Sequence, residues 1–274
     1  MRVGTRVATA QAPSARRRLL AGVAAERALS IVSPLGLLLL WELLGRVGAL
    51  DQRFFPAPSA IASTFAQLLL AGTLHAEVVT SLGRVAAGFA FGALPALVLG
   101  ISMGLSRMVR AALKPMVGAL YPIPKTAIFP LLLIIFGLGE GSKYAVVAIG
   151  VFFLVLLNTM AGVMAIESVY LDVGRNFGAR PLEVFRTIAL PGAAPFIFTG
   201  VRLAWGNALL LIVVAEMIGA RSGLGYFIWS SYQTFAIEEL YVGLVTISFI
   251  GYFSFLALDE LQRWLIPWKG AQAA

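Results

Sequence analysis

The chain has 274 residues, of which 59% are hydrophobic and only 12% charged, with a mean hydropathy of +0.89; a soluble domain carries about 25% charged residues, so a water-soluble fold is excluded. The net charge of +8 would suggest nucleic acid as a partner of a soluble protein, but in so apolar a chain the placement of charges matters more than their sum, and no nucleic-acid role is expected. Cysteine is absent and His75 is the single histidine, which leaves no disulfides, no thiolate metal site and no Cys/His nucleophile; no cofactor and no metal is expected on this chain.

In chain order, residues 1–28 hold Arg2, Arg6, Arg16, Arg17, Arg18 and Arg27 among Ala, Thr, Ser and Pro and read as a disordered basic tail. No cleaved signal peptide is expected: the first long apolar stretch begins near Leu29 and continues into a span-length segment, which reads as an uncleaved first membrane helix. A membrane span needs about 20 mostly apolar residues, and six segments qualify: Leu29 to Val47, Val85 to Leu105, Met116 to Leu138, Tyr144 to Ile166, Phe196 to Ile218 and Tyr241 to Leu261. The second carries the pairs Gly88/Gly92 and Gly100/Gly104, which permit close helix approach. The third contains Pro122, Pro124 and Pro130, each lacking the N–H of a regular helix, and is expected to be broken. The expected division is a tail over 1–28, a membrane domain over 29–268 with a cytoplasmic loop at 166–195, and a short tail over 269–274.

Orientation follows from Lys and Arg. With the N-terminus inside, fourteen fall on the cytoplasmic side against five outside, Arg46, Arg53, Arg84, Lys143 and Arg221, which predicts an all-α membrane protein of about six transmembrane helices with both termini cytoplasmic. Outside, Pro58 and Ser59 open an amphipathic helix with Ile61, Phe65, Leu68 and Leu69 at helical spacing. A second outer loop, Gly219 to Leu240, supplies Tyr226, Trp229 and Tyr232 as interfacial anchors, and His75 is expected on an exposed loop.

The most informative segment is the cytoplasmic loop Ile166 to Pro195, which reads as two short helices, Ser168 to Phe177 stopped by Gly178, and Pro181 to Ala189 stopped by Pro191. Glycine suits a left-handed C-cap and proline a first helical turn, so the loop reads as a rigid docking element. Its residues fit a motif: Asp172-Val173-Gly174, three residues, Gly178, nine residues, Ile188, one residue, Leu190-Pro191. This resembles the EAA loop of ATP-binding-cassette importer permeases, with Asp for Glu, Val for the first Ala and Gly for the second. Further stretches resemble the nitrate/sulfonate/taurine group of that family: Thr80-Ser81-Leu82-Gly83-Arg84-Val85, Tyr121-Pro122-Ile123-Pro124-Lys125, Phe129-Pro130-Leu131, Phe136-Gly137-Leu138-Gly139-Glu140, Val214-Ala215-Glu216-Met217-Ile218 and Gly223-Leu224-Gly225-Tyr226.

The resemblance implies a type I importer permease fold in a bacterial inner membrane. It implies a homodimer, fed by a periplasmic solute-binding protein and driven by a cytoplasmic ATPase dimer, which would hold the ATP and Mg. It also implies a small anionic solute of the nitrate, sulfonate or taurine kind, with Asp172, Val173, Gly174, Gly178, Ile188, Leu190 and Pro191 engaging the ATPase. The chain itself is expected not to be an enzyme: Gly137-Leu138-Gly139-Glu140-Gly141-Ser142-Lys143 looks like a phosphate loop but lacks the required spacing.

Lys125 lies among prolines within a span, where a charge costs about 2.5–3.5 kcal/mol on insertion scales. It could attract an anion at the translocation pathway with Pro122 and Pro124, snorkel to the interface, or pair with a carboxylate. Glu216, also within a span, is a second pathway candidate, with a structural hydrogen bond or ion pair as the competing role. Two rival functions are an ion-coupled secondary transporter, which needs ionisable groups at mid-membrane, and a membrane-embedded transferase. The second would need clustered acidic or nucleophilic groups, yet Glu238-Glu239 and Asp259-Glu260 fall at opposite ends of the last span.

Overall fold

The computed structural model describes residues 13–268, which are helical apart from short connections. The expected tail residues 1–12 and 269–274 lie outside the described residues. The chain divides into two units, Met1–Ser63 and Thr64–Ala274.

The first unit contains α1 (Pro13–Arg46) and the start of α2 (Pro58–Leu70). Helix α1 begins well before Leu29 and takes in residues 13–28, which composition had left as tail; proline suits a first turn, and the Ala, Leu and Arg that follow are strong helix formers. Near its end Glu42 accepts hydrogen bonds from the Ser59 N–H at 3.0 Å and the Ser59 Oγ at 2.8 Å, and pairs with Arg46 at 2.7 Å. That carboxylate takes up a donor that the start of α2 cannot satisfy internally.

The second unit contains α3 (Thr73–Leu105), α4 (Arg107–Leu120), α5 (Lys125–Phe136), α6 (Glu140–Met164), α7 (Ser168–Asn176), α8 (Pro181–Val184), α9 (Leu190–Gly219), α10 (Leu224–Gln233) and α11 (Ile237–Leu265), with a π-helical turn at Phe185–Ala189 joining α8 to α9. Among the described residues four helical stretches are long and apolar enough to cross a membrane: Thr73–Leu105, Glu140–Met164, Phe185–Gly219 and Ile237–Leu265. A fifth is formed if the bent pair α4 and α5 counts as one span.

The core is a slab of α3, α6 and α9. Close approach is set by a stripe on α3 that repeats every four residues, Gly88, Gly92, Ala96, Gly100 and Gly104, and so lies along one helix face. A Cβ at Gly92 would stand 2.3 Å from the carbonyl oxygen of Ala148, and one at Gly104 would stand 2.4 Å from Val163 Cβ. Helices packed too closely to admit a Cβ exclude lipid and gain dispersion along the whole contact, which is how helices associate where apolar burial from water contributes little.

Several expectations are revised. The third span breaks once, between Leu120 and Lys125, with a bend of 93°, and Pro130 sits inside α5 without breaking it. A single proline removes one helical hydrogen bond, which a membrane helix tolerates, whereas Pro122 and Pro124 together remove alternate donors within one turn. Arg84 and Lys143, counted from sequence as outer-loop charges, belong to α3 and α6 and are 6% and 2% exposed. His75 is exposed, but on the first turn of α3. The outer loop 219–240 contains the helix α10, whose Leu224, Phe227 and Ile228 are buried, so this segment packs into the protein rather than forming a free loop.

Candidate functional site

Helix α7 ends at Asn176 and the chain turns at Gly178, whose φ is +73°, a region a side-chain-bearing residue enters only at a steric cost. The Ala179 N–H donates back to the Gly174 carbonyl at 3.0 Å, closing the last turn. The next helix starts at once: the Arg180 N–H donates to the Glu183 carboxylate at 2.7 Å, and the Glu183 and Val184 N–H groups donate to the Arg180 carbonyl at 2.9 and 3.0 Å, half of a reciprocal capping arrangement with proline at the first turn.

The two helices touch at Gly174. A Cβ there would meet Ile188 Cδ1 at 2.9 Å and Val184 Cγ2 at 3.4 Å. The third residue of the Asp172-Val173-Gly174 head therefore packs on the isoleucine of the same motif, and the spacing between them is the length of chain needed to turn and return. The Ile188 contact is the end of a flexible side chain, so an alanine fits after a small shift and larger residues do not.

Pro191 does not stop the second helix. The Leu190 N–H bonds to the Phe185 carbonyl, and this wider turn makes room for a proline that would otherwise crowd the preceding turn. The helix then continues to Gly219. The loop is consequently one end of a membrane-spanning rod. Val169, Tyr170 and Val173 of α7, with Phe177 just after it, expose an apolar face, and Tyr170, Ile188, Pro191, Phe196 and Trp268 line a cleft of about 450 Å³ beside it. An exposed apolar face next to a cleft at the end of a rigid rod suits a protein partner.

At the break in the third span, Lys125 Nζ donates to the carbonyls of Leu120 at 3.1 Å, Tyr121 at 2.8 Å and Ile123 at 2.6 Å, and lies 4.7 Å from the Phe153 ring centre. An ammonium has three protons, and all three are directed at carbonyls. The Leu120 carbonyl would be served in a regular helix by the N–H of residue 124, and that residue is proline; the lysine supplies the donor Pro124 lacks. Phe91, Leu120, Ile123, Lys125, Phe152 and Phe153 border a largely apolar cavity of about 460 Å³. Irregular backbone at membrane depth is found where it is buried in protein or lines a watery space.

Glu216 does not join Lys125, Pro122 and Pro124. It is fully buried near the far end of α9 from the loop, where it accepts from Arg84 Nη1 at 2.8 Å, from Ser81 Oγ at 2.8 Å and from the Gly225 N–H at 2.9 Å. Arg84 also makes a forked pair with Glu140, at 2.6 and 2.8 Å, and donates to the Ser222 carbonyl and hydroxyl at 2.6 and 3.1 Å. Arg84, Ser81, Glu140, Gly223 and Gly225 were not singled out from sequence as site residues. The signal was present: stretches noted separately for resemblance, over 80–85, 136–140, 214–218 and 223–226, converge on this one network. Among the described residues no group of three or more His, Cys, Asp or Glu is placed to hold a metal ion.

Comparison with known proteins accords with these geometries. Residues 96–270 match the family described as the binding-protein-dependent transport system inner membrane component. The chain is 31% identical to a putative aliphatic sulfonates transport permease protein of Bacillus subtilis over 88% of its length and 87% of that protein. It is 32% identical to the taurine transport system permease protein of Escherichia coli over 88% and 90%, and 30% identical to the bicarbonate transport system permease protein of Synechococcus elongatus over 88% of each. The fold is similar to a chain of the MetNI methionine ABC transporter in an inward-facing conformation, with a TM-score of 0.60 at 19% identity, covering 70% of this chain and 95% of that one. The chain therefore belongs to the binding-protein-dependent transport system inner membrane component family, and is a non-enzymatic, multi-pass permease subunit of an ATP-binding-cassette importer.

Proposed function

We propose that this permease passes a small anion, of the sulfonate, taurine, nitrate or bicarbonate kind, and that Asp172, Val173, Gly174, Gly178, Ile188, Leu190 and Pro191 form the surface on which a separate ATPase acts. The observation that carries the docking role is the contact of Gly174 with Ile188 beneath an exposed apolar helix face. The anionic substrate is supported by the relatives' sulfonate, taurine and bicarbonate transport. On this reading two copies pair as a homodimer, α1 supplies the sixth span, both termini are cytoplasmic, and a periplasmic binding protein delivers the solute. ATP and Mg reside on the ATPase dimer. Rigid-body displacement of the loop then produces alternating access.

Reconstitution of the chain with its ATPase and binding protein in vesicles tests this directly. Uptake of taurine, ethanesulfonate, nitrate or bicarbonate that needs both ATP and binding protein is the expected result. Uptake driven by a sodium or proton gradient without ATP would replace the reading with ion coupling.

On the same reading Lys125, Pro122 and Pro124 belong to the pathway, the ammonium holding the irregular backbone in shape and contributing positive charge. Lys125→Met removes the ammonium from which three carbonyls accept, the Leu120 carbonyl keeping only a longer bond from the Ile123 N–H, and each hydrogen bond contributes about 0.5–1.5 kcal/mol net. Uptake is expected to fall about tenfold, the factor that 1.4 kcal/mol represents, whereas Lys125→Arg keeps donors and charge in another shape and retains part of it. Wild-type uptake by Lys125→Met over a range of substrate concentrations would remove Lys125 from the pathway.

A further inference from the structure

The polar network at the end of the bundle opposite the docking loop has more bonds than a lone ion pair needs, and their arrangement is specific. The first N–H groups of a helix have no internal partners, and at the start of α10 three consecutive ones are taken by side chains of other helices. The Gly223 N–H donates to Glu77, the Leu224 N–H to Ser81 Oγ at 2.8 Å and the Gly225 N–H to Glu216 at 2.9 Å. Glu77, Ser81 and Arg84 stand on one face of α3, and Glu216 on α9. The close fit leaves no room for side chains: a Cβ at Gly223 would stand 2.2 Å from Glu216 Oε1, and one at Gly225 would stand 2.2 Å from the Val213 carbonyl.

A guanidinium has five N–H donors in a fixed fork, and Arg84 places bonds on Glu140, Glu216, the Ser222 carbonyl and the Ser222 hydroxyl. It therefore ties α3 to α6, to α9 and to the segment entering α10. The same α9 is continuous through the π turn with the motif residue Ile188. Its 30 residues give a rod about 45 Å long at 1.5 Å per residue.

We propose that Arg84 and Ser81 are positioning residues of a joint that couples the docking loop to α10, so that displacement of the loop by the ATPase moves α10 at the opposite face, and a binding protein acting on that face alters ATPase activity. Coupling of binding between two sites is reciprocal, and the rod with a fixed joint at each end is the physical element that carries it. The surface that α10 and the turn after it would offer a partner is aromatic: Trp229 and Tyr232 pair at 5.4 Å, and Tyr232 and, in the turn, Phe235 are exposed. The inference rests on the reading of Asp172–Pro191 as the ATPase-docking loop.

The test is ATP hydrolysis by the full complex in lipid nanodiscs, without the binding protein and with it, the latter saturated with whichever of taurine, ethanesulfonate or nitrate it binds most tightly. In Arg84→Met, basal hydrolysis stays within about twofold of wild type while stimulation by the binding protein falls about tenfold. Ser81→Ala keeps the charges and removes only the hydroxyl shared by Leu224 and Glu216, and its stimulation falls by a smaller factor. A purely structural role would lower basal and stimulated rates together, in step with thermal stability, and that result overturns the proposal. Wild-type stimulation in Ser81→Ala also overturns it, and this variant decides the matter if Arg84→Met fails to accumulate. Gly178→Val separates the two readings: if it leaves basal and stimulated rates intact, the docking reading fails, whereas its loss of both with normal stimulation in Ser81→Ala rejects the joint alone.

Discussion

Gly178→Val abolishes transport while the protein still inserts in the membrane. Gly178 has φ +73° with no atom crowding its Cβ position, so the obstacle is backbone conformation rather than space. Left-handed geometry costs an L-residue about 1–2 kcal/mol, and for a β-branched side chain it is a genuine outlier. The segment relieves that strain by giving up the bend. The Ala179 bond to Gly174 and the contact of Gly174 with Ile188 are then lost together, because both depend on the chain reversing at this residue. Gly178→Asn, which tolerates the left-handed region, retains a substantial part of the activity. Co-purification of the ATPase with the permease and vesicle uptake check the result; wild-type yield of the complex with normal uptake in the valine variant would exclude the turn from coupling.

The second large effect is on stability. Gly92→Val destabilises the chain by about 3 kcal/mol or more, the upper range for overpacking a well-packed core. The reason is the nature of the neighbour: a Cβ at this site meets the Ala148 carbonyl oxygen, Cα and carbonyl carbon at 2.3, 2.9 and 3.0 Å. These are backbone atoms of a transmembrane helix and cannot rotate aside, so α3 and α6 must separate along their whole contact. Gly118→Ala is the control, since no atom lies within 4 Å of its Cβ position and alanine is the better helix former by about 1 kcal/mol. Thermal unfolding of the detergent-solubilised chain should show a lower midpoint and poor recovery for Gly92→Val and no loss for Gly118→Ala. Equal midpoints for wild type and Gly92→Val would mean that the two helices do not approach as described.

The two positions show how far sequence alone reaches. At Gly178 it was sufficient, because a glycine between two short amphipathic segments and before a proline has one economical conformation, and the energetics are local. The small-residue pairs on α3 likewise announced a close helix contact before the partner was known. That the partner is α6, and that Ala96 completes the stripe, required the packed helices, since a repeat every four residues defines a face and not what covers it.

Local rules failed where a proline or a charge was answered by a distant or unexpected group. Pro191 appeared to be a helix stop, yet a π turn accommodates it and turns a loop connector into the end of a transmembrane rod. Lys125 was read as an anion-attracting, snorkelling or carboxylate-paired charge, and its protons go to backbone carbonyls, one of them the carbonyl that Pro124 cannot serve.

By itself the sequence determined the membrane class, the broken third span, the spacing of the loop motif and the family resemblance, because hydropathy, proline chemistry and motif spacing are properties of contiguous residues. The tertiary structure alone decided that Arg84, Glu140, Glu216, Ser81 and the Gly223–Gly225 backbone form one network. Bonded partners among them lie up to 143 positions apart in the chain, and nothing in a one-dimensional pattern specifies which cation meets which carboxylate. That choice is made by the close packing of α3, α6 and α9, which brings their ends within hydrogen-bonding reach and excludes the water that would otherwise satisfy each charge separately.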